Sequence, residues 1–280
     1  AHWNVSSPVK YLWWYHVVGL IWTAEFILAC QQFVVASSVA LWYFSRDKSG
    51  VHCPILRSVK RLIIYHLGTV ALGSFIITII KIPRLIMMYL YNKVKDSKNS
   101  VAKYILNCCM CSFWCLERCC RYLHHNAYTI VAMEGSSFCP AAKQAFDILA
   151  ENAVKVSTIN LVGDFVLFLG KCGVTAVTAS VALLVFRTNP EIHYYSIPLL
   201  LVSIFAYFIS HCFFSIYEMT IDTLFLCFCA DKDFSDLSGN ELYADDQFIA
   251  FMSKMRQIEN KKNGAPEALE MEPIQGPEEV

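Results

Sequence analysis

The chain has 280 residues, of which 56% are hydrophobic and only 16% charged, with a mean hydropathy of +0.44; this is too apolar for an ordinary soluble domain of that length. The formal net charge is zero, but residues 1–230 carry 18 Lys/Arg against 11 Asp/Glu and residues 231–280 carry 5 against 12, an asymmetry that marks membrane topology and argues against nucleic-acid binding. The apolar residues gather in long blocks and do not alternate along short strands, so the predicted fold is all-α, a polytopic helical membrane protein and not a barrel. The sequence begins on Ala1 without an initiator Met or a basic n-region. Three spans are also few for a solute carrier, so the expectation is the C-terminal part of a larger helical bundle.

In chain order, residues 1–10 are expected to be extracellular, and Asn4-Val5-Ser6 forms a glycosylation sequon there. Residues 11–44 hold one charged side chain, Glu25. As a single helix they run about 51 Å, beyond the ~30 Å hydrocarbon core, so this first span tilts, protrudes or breaks near its polar centre. Trp13, Trp14 and Tyr15 at one end and Trp42, Tyr43 and Phe44 at the other suit interfacial belts. Advancing about 100° per residue places Trp14, Ile21, Glu25 and Gln32 on one stripe with Trp22 on its flank. A quaternary ammonium donates no conventional hydrogen bond and is held by ring faces and a nearby negative charge, at roughly 2 kcal/mol or more per desolvated cation–π contact. Trp14, Trp22, Glu25 and Gln32 are therefore candidate residues for binding an organic cation. The alternative pairs Glu25 with a basic residue of another helix and leaves the tryptophans as belt anchors.

Residues 45–158 hold 15 Lys/Arg and two apolar stretches, near 62–92 and 104–116. If both stretches crossed the membrane, Lys81, Arg84, Lys93, Lys95, Lys98 and Lys103 would fall outside, against the positive-inside rule. The region is thus predicted to be a cytoplasmic insertion with interfacial or re-entrant helices, one of them kinked near Pro83. The N-terminus is then outside and the C-terminus inside. Cys108, Cys109, Cys111, Cys115, Cys119 and Cys120 cluster ahead of His124 and His125. Only one CxxC pair occurs and its surroundings are apolar, so no metal site is predicted; reduced thiols or S-palmitoylation are expected instead.

Residues 159–187 form the second predicted span, and Gly170, Gly173, Ala176 and Ser180 give it a small-residue face for close helix approach. Asn160, Asp164, Lys171, Thr175 and Thr178 line up along it. Asp164 and Lys171 are assigned to an intramembrane ion pair, with Glu25 or Glu218 as further candidate partners of the lysine and a coupling role as the alternative. After an external turn at 188–196 containing Asn189-Pro190, residues 197–230 form the third span. Tyr207, His211, Phe214 and Glu218 share a face there, with Asp222 close to it. Tyr207, His211 and Glu218 make a second candidate cation-binding set, His211 being either a proton relay or a neutral core histidine. Residues 231–280 read as an acidic cytoplasmic tail, largely disordered beyond a short helix near 245–258.

No P-loop, dinucleotide fingerprint, HExxH or GxSxG occurs, which argues against an enzyme or an ATP-driven pump. The stretches LWWYHVVGLIWTAEFILACQQF, YHLGTVALGSFIITIIKIPR, CSFWCLERCC followed by NAYT, FCPAAKQAFDIL, GDFVLFLGK and SIYEMTIDTLFLCF resemble the C-terminal half of choline transporter-like proteins. The resemblance runs from about Asn4 to Asp231. It implies a multi-pass carrier for choline in the plasma membrane and also in intracellular membranes, with ethanolamine as a related substrate, supplying phospholipid synthesis. It further implies sodium-independent transport without a cofactor. One branch of the family is associated with thiamine diphosphate, a larger organic cation, and a rival reading keeps the fold in a non-transporting membrane scaffold or surface antigen.

Overall fold

The computed structural model describes residues 7–48, 50–94, 100–188, 194–238 and 241–262. The sequon at Asn4, the Asn189-Pro190 turn and the end of the acidic tail lie outside the described residues. In a bilayer every backbone N–H and C=O must be paired within the protein, so long apolar runs fold as helices. The first run is one helix, α1 (Ser7–Tyr43), unbroken at Glu25. Pro54, whose missing N–H costs nothing at a helix start, opens α2 (Pro54–Arg61). A π turn at Leu62–His66 leads on into α3 (Leu67–Val94). The long α4 (Ser100–Glu134) ends where Gly135 takes a left-handed φ of 73° and its N–H bonds the Val131 carbonyl at 2.9 Å. Beyond it come α5 (Phe138–Glu151), α6 (Ala153–Thr188), α7 (Ser196–Ser238) and α8 (Asp246–Lys262). Among the described residues all regular structure is helical, as the composition predicts.

Residues 54–93 lie in the region expected to hold interfacial or re-entrant helices. They run as one continuous helical rod through Pro83. Among the described residues four helices are long and apolar enough to cross a membrane, Leu12–Tyr43, Pro54–Lys93, Ala153–Thr188 and Ser196–Ser235, one more than the three expected. α3 and α4 form an antiparallel hairpin, with Gly73 against Tyr128 near one end and Arg84 bonded to Glu117 nearer the other. This hairpin lies along α1, where Trp22 meets Phe75 edge-on at 6.2 Å and Phe33 meets His66 at 5.1 Å. The charges that argued against insertion, Lys81 and Arg84, bond Glu25 and Glu117, which are 56 and 33 residues away in sequence. A paired charge costs less in an apolar environment than an isolated one, and a count of loop charges does not register such partners.

The densest packing sits at one end of the bundle. Phe33 and Ala36 of α1, Val70 of α3, Tyr128 and Val131 of α4, Ala141 and Ala145 of α5 and Leu226 of α7 are all buried there. α5 turns an apolar face inward, with Ala141, Ala145 and Ile148 at helical spacing. Gly73 is required where it stands, because a Cβ would lie 2.8 Å from Phe138 Cε2 and overlap the Tyr128 hydroxyl. At the same end buried Asp231 accepts hydrogen bonds from the Tyr43 hydroxyl at 3.0 Å and the Tyr243 backbone N–H at 2.8 Å. These bonds, with Phe228 against Phe248 at 5.4 Å, hold α8 to the ends of α1 and α7. Nearby, burial lowers the Lys48 pKa from its ordinary value, an effect that Asp231 and Asp245 oppose. The α6–α7 hairpin packs closely where Gly170 faces the Phe214 ring. Its outer faces, with Leu161, Phe165 and Val177 on α6 and Leu200 and Phe208 on α7, are exposed and apolar.

Candidate functional site

Two polar constellations occur within the bundle. The first is built around Glu25, which is 6% exposed. Its carboxylate accepts hydrogen bonds from Lys81 Nζ at 2.7 Å and from Arg121 Nη1 and Nη2 at 3.1 and 2.9 Å. Arg121 also donates to Glu117 through Nε at 3.2 Å and Nη2 at 3.1 Å, and Arg84 bonds the other Glu117 oxygen. Five side chains thus tie α1, α3 and α4 together. Of the stripe drawn from the sequence, Trp14 is 60% exposed about 16 Å further along α1. Trp22 is also exposed and leans on Phe75, and Gln32 is partly buried. Glu25 is engaged by two cations, as the ion-pair alternative expected, although its partners sit on α3 and α4, within the region read as a peripheral insertion.

The second constellation is a cleft of about 180 Å³ between α4, α6 and α7, lined on its polar side by Arg118, Tyr122, Asn160, Asp164, Glu218 and Asp222. His125 Nε2 lies 3.5 Å from Asp222 Oδ2, and Asn160 Nδ2 donates to the Tyr122 hydroxyl at 3.1 Å. Asp164 and Glu218, assigned different roles from the sequence, come to the same cleft. The sequence signal for it is two pairs at i, i+4, Asn160 with Asp164 and Glu218 with Asp222, each of which stacks its members on one helix face. Arg118 and Tyr122 stand at the same i, i+4 spacing on α4, but that this face meets α6 and α7 is decided by packing. Three carboxylates face one guanidinium, and Arg118 also leans over the Trp114 ring at 5.6 Å. The cleft therefore carries negative potential, with Tyr122 in its wall, which suits a cation.

Tyr207 and His211 stack on the exposed face of α7, with ring centroids 6.5 Å apart and planes 7° from parallel. His211 is about 10 Å along the helix from Glu218. Among the described residues Asp164 and Lys171 are not joined in an ion pair, because seven residues of helix hold them about 10 Å apart along the axis. Cys108, Cys111, Cys115 and Cys119 are exposed along one side of α4, and Cys109 and Cys120 are half-buried. Among the described residues no group of His, Cys, Asp and Glu is arranged to hold a metal ion.

Residues 1–233 match a family model described as plasma-membrane choline transporter. The chain is 48% identical over 278 residues to choline transporter-like protein 1 of Mus musculus, covering 98% of this chain and 43% of that protein. It is 50% identical over 236 residues to choline transporter-like 1 of Anopheles gambiae, covering 83% and 34%. With choline transporter-like protein 3 of Bos taurus it shares 42% identity over 257 residues, covering 91% and 40%. The chain thus spans less than half the length of these curated relatives.

Proposed function

The chain belongs to the plasma-membrane choline transporter family, and from that premise we propose that the protein it forms part of carries choline across the plasma membrane, with ethanolamine as a related substrate, supplying phospholipid synthesis. The observation that carries this reading is the cleft in which Asp164, Glu218 and Asp222 converge beside Tyr122. A quaternary ammonium entering it loses water that no single hydrogen bond replaces. Each carboxylate about 5 Å from the cation returns roughly 3 kcal/mol at an effective dielectric of about 20, and the Tyr122 face adds a cation–π contact. Glu25 is already paired with Lys81 and Arg121, so in this reading it holds α1, α3 and α4 in register more than it attracts substrate. Tyr207 and His211, further along α7 on the side of Glu218, then line the approach to the cleft.

In the same reading the N-terminal end of α1 faces outward and α8 faces the cytoplasm. This orientation takes α4, which is less apolar than the four candidate spans, as a fifth crossing beside α3, so that the hairpin crosses twice and brings Lys93 to the outer surface. Radiolabelled choline uptake by the full-length protein tests the function. Glu218→Gln and Asp222→Asn should each raise KM about 10-fold, equivalent to about 1.4 kcal/mol, with surface expression intact. Unchanged KM in both would overturn the cleft assignment. No saturable uptake by the unmodified protein would favour the scaffold or surface-antigen reading, and inhibition by thiamine diphosphate in preference to choline would move the substrate to the larger cation. For topology, Lys93→Cys should react with a membrane-impermeant maleimide in intact cells. Reaction only after permeabilisation would return residues 45–158 to the cytoplasmic side.

A further inference from the structure

The network on α1, α3 and α4 is not electrically balanced. Lys81, Arg84 and Arg121 are set against Glu25 and Glu117, three cations to two carboxylates. The side chains are also sorted by depth in the packing. Glu25 and Glu117 are 6% and 7% exposed, whereas Lys81, Arg84 and Arg121 are 30%, 36% and 39% exposed, so the open side of the network is cationic. Glu25 lies about 20 Å along α1 from Leu12 and about 27 Å from Tyr43, and Lys81 and Arg84 lie about 18 and 14 Å from Lys93, all within helices apolar enough to cross a membrane. An excess cation at such depth is costly without a counter-charge, and lipid headgroups are held at the ends of these runs.

We infer that the face formed by Lys81, Arg84 and Arg121 receives a carboxylate side chain from a membrane helix in the part of the longer protein outside this sequence. The Mus musculus relative has more than half of its length outside the matched stretch, enough for several further spans. Charge complementarity selects an Asp or Glu, and the forked guanidinium groups of Arg84 and Arg121 suit a carboxylate geometrically. The inference rests on charge balance and not on the identity of the transported molecule.

Thermal unfolding of the purified full-length protein in nanodiscs tests it without reference to transport. Arg84→Met breaks the bond to buried Glu117 and so costs some stability even in an unpartnered network, which it leaves at two cations and two carboxylates; restoration of that loss by an amide elsewhere in the protein is therefore the deciding readout. With an external carboxylate docked, the same change strands that group and lowers Tm by about 5 °C or more. Replacing the Asp and Glu residues of the remaining spans one at a time by Asn or Gln in the Arg84→Met background should identify one position that restores at least half the loss. Arg84→Lys, which keeps the charge, should lose less than Arg84→Met and covers the case in which the methionine variant does not fold. Three outcomes would overturn the inference: an Arg84→Met protein as stable as the parent, a loss that no amide substitution restores, or a loss seen only in nanodiscs containing phosphatidylserine and absent in pure phosphatidylcholine, which would assign the face to anionic lipid.

Discussion

Replacing Glu25 by Gln keeps the shape of the side chain and removes its charge. The carboxylate now takes three hydrogen bonds, from Lys81 at 2.7 Å and Arg121 at 2.9 and 3.1 Å. The amide retains one acceptor oxygen and turns its NH2 toward the cation left over. The network's excess charge rises from one to two, with Glu117 alone facing Lys81, Arg84 and Arg121. Breaking a buried pair costs about 3–5 kcal/mol. The three cations are about one-third exposed, and solvent screening reduces the expected loss to about 2–3 kcal/mol. At roughly 2–4 °C per kcal/mol that is a Tm decrease of about 4–12 °C, measured by intrinsic fluorescence on the purified full-length protein. Adding Lys81→Met returns the excess to one and should recover at least half the loss, a non-additivity expected of groups in direct contact. A Tm indistinguishable from the parent, or a double variant whose losses simply add, would refute the network as a stabilising unit. Choline uptake then separates packing from binding: restored stability with a KM still raised would make Glu25 a substrate contact as well.

Gly73→Ala should cost about 1–3 kcal/mol, as overpacking does, because its Cβ meets the buried Phe138 and Tyr128 rings. Gly173→Ala, which meets nothing within 4 Å, should be neutral or slightly stabilising, and parallel thermal melts of the two check the contrast. Asp231→Asn weakens the bonds from the Tyr43 hydroxyl and the Tyr243 N–H, at about 1–2 kcal/mol. Limited trypsin digestion should then cut at Lys254 sooner than in the parent, and an unchanged cleavage rate would refute the tether. Tyr122→Phe strands the Asn160 donor but keeps the ring, so it should lower stability by about 1 kcal/mol and leave the KM for choline nearly unchanged. Tyr122→Leu should raise that KM several-fold, and equal KM effects in the two variants would remove the ring from the recognition argument.

The all-helical membrane character was legible residue by residue. The runs in α1, α6 and α7 are apolar over more than the thickness of a bilayer, and hydropathy is additive along a chain. Asn160 with Asp164 and Glu218 with Asp222 were likewise legible as faces, because helical periodicity is local. Their convergence was not. Nothing in α6 or α7 alone says that they enclose one cleft with Tyr122, since that depends on how α4 packs against α7.

Residues 54–93 mark the boundary between the two kinds of information most clearly. Read alone, Lys81 and Arg84 carry the full cost of a cation in an apolar run and push the segment to the surface. Folded, they meet Glu25 and Glu117, and the rod lies beside α1. The sequence by itself determined which segments are helical and apolar, and which faces of them are polar, because those properties depend on neighbours within a turn or two. Only the tertiary structure decided which charges are partnered and where the carboxylates gather, because an electrostatic cost depends on distance in space and on exposure, and both are set by residues far away along the chain.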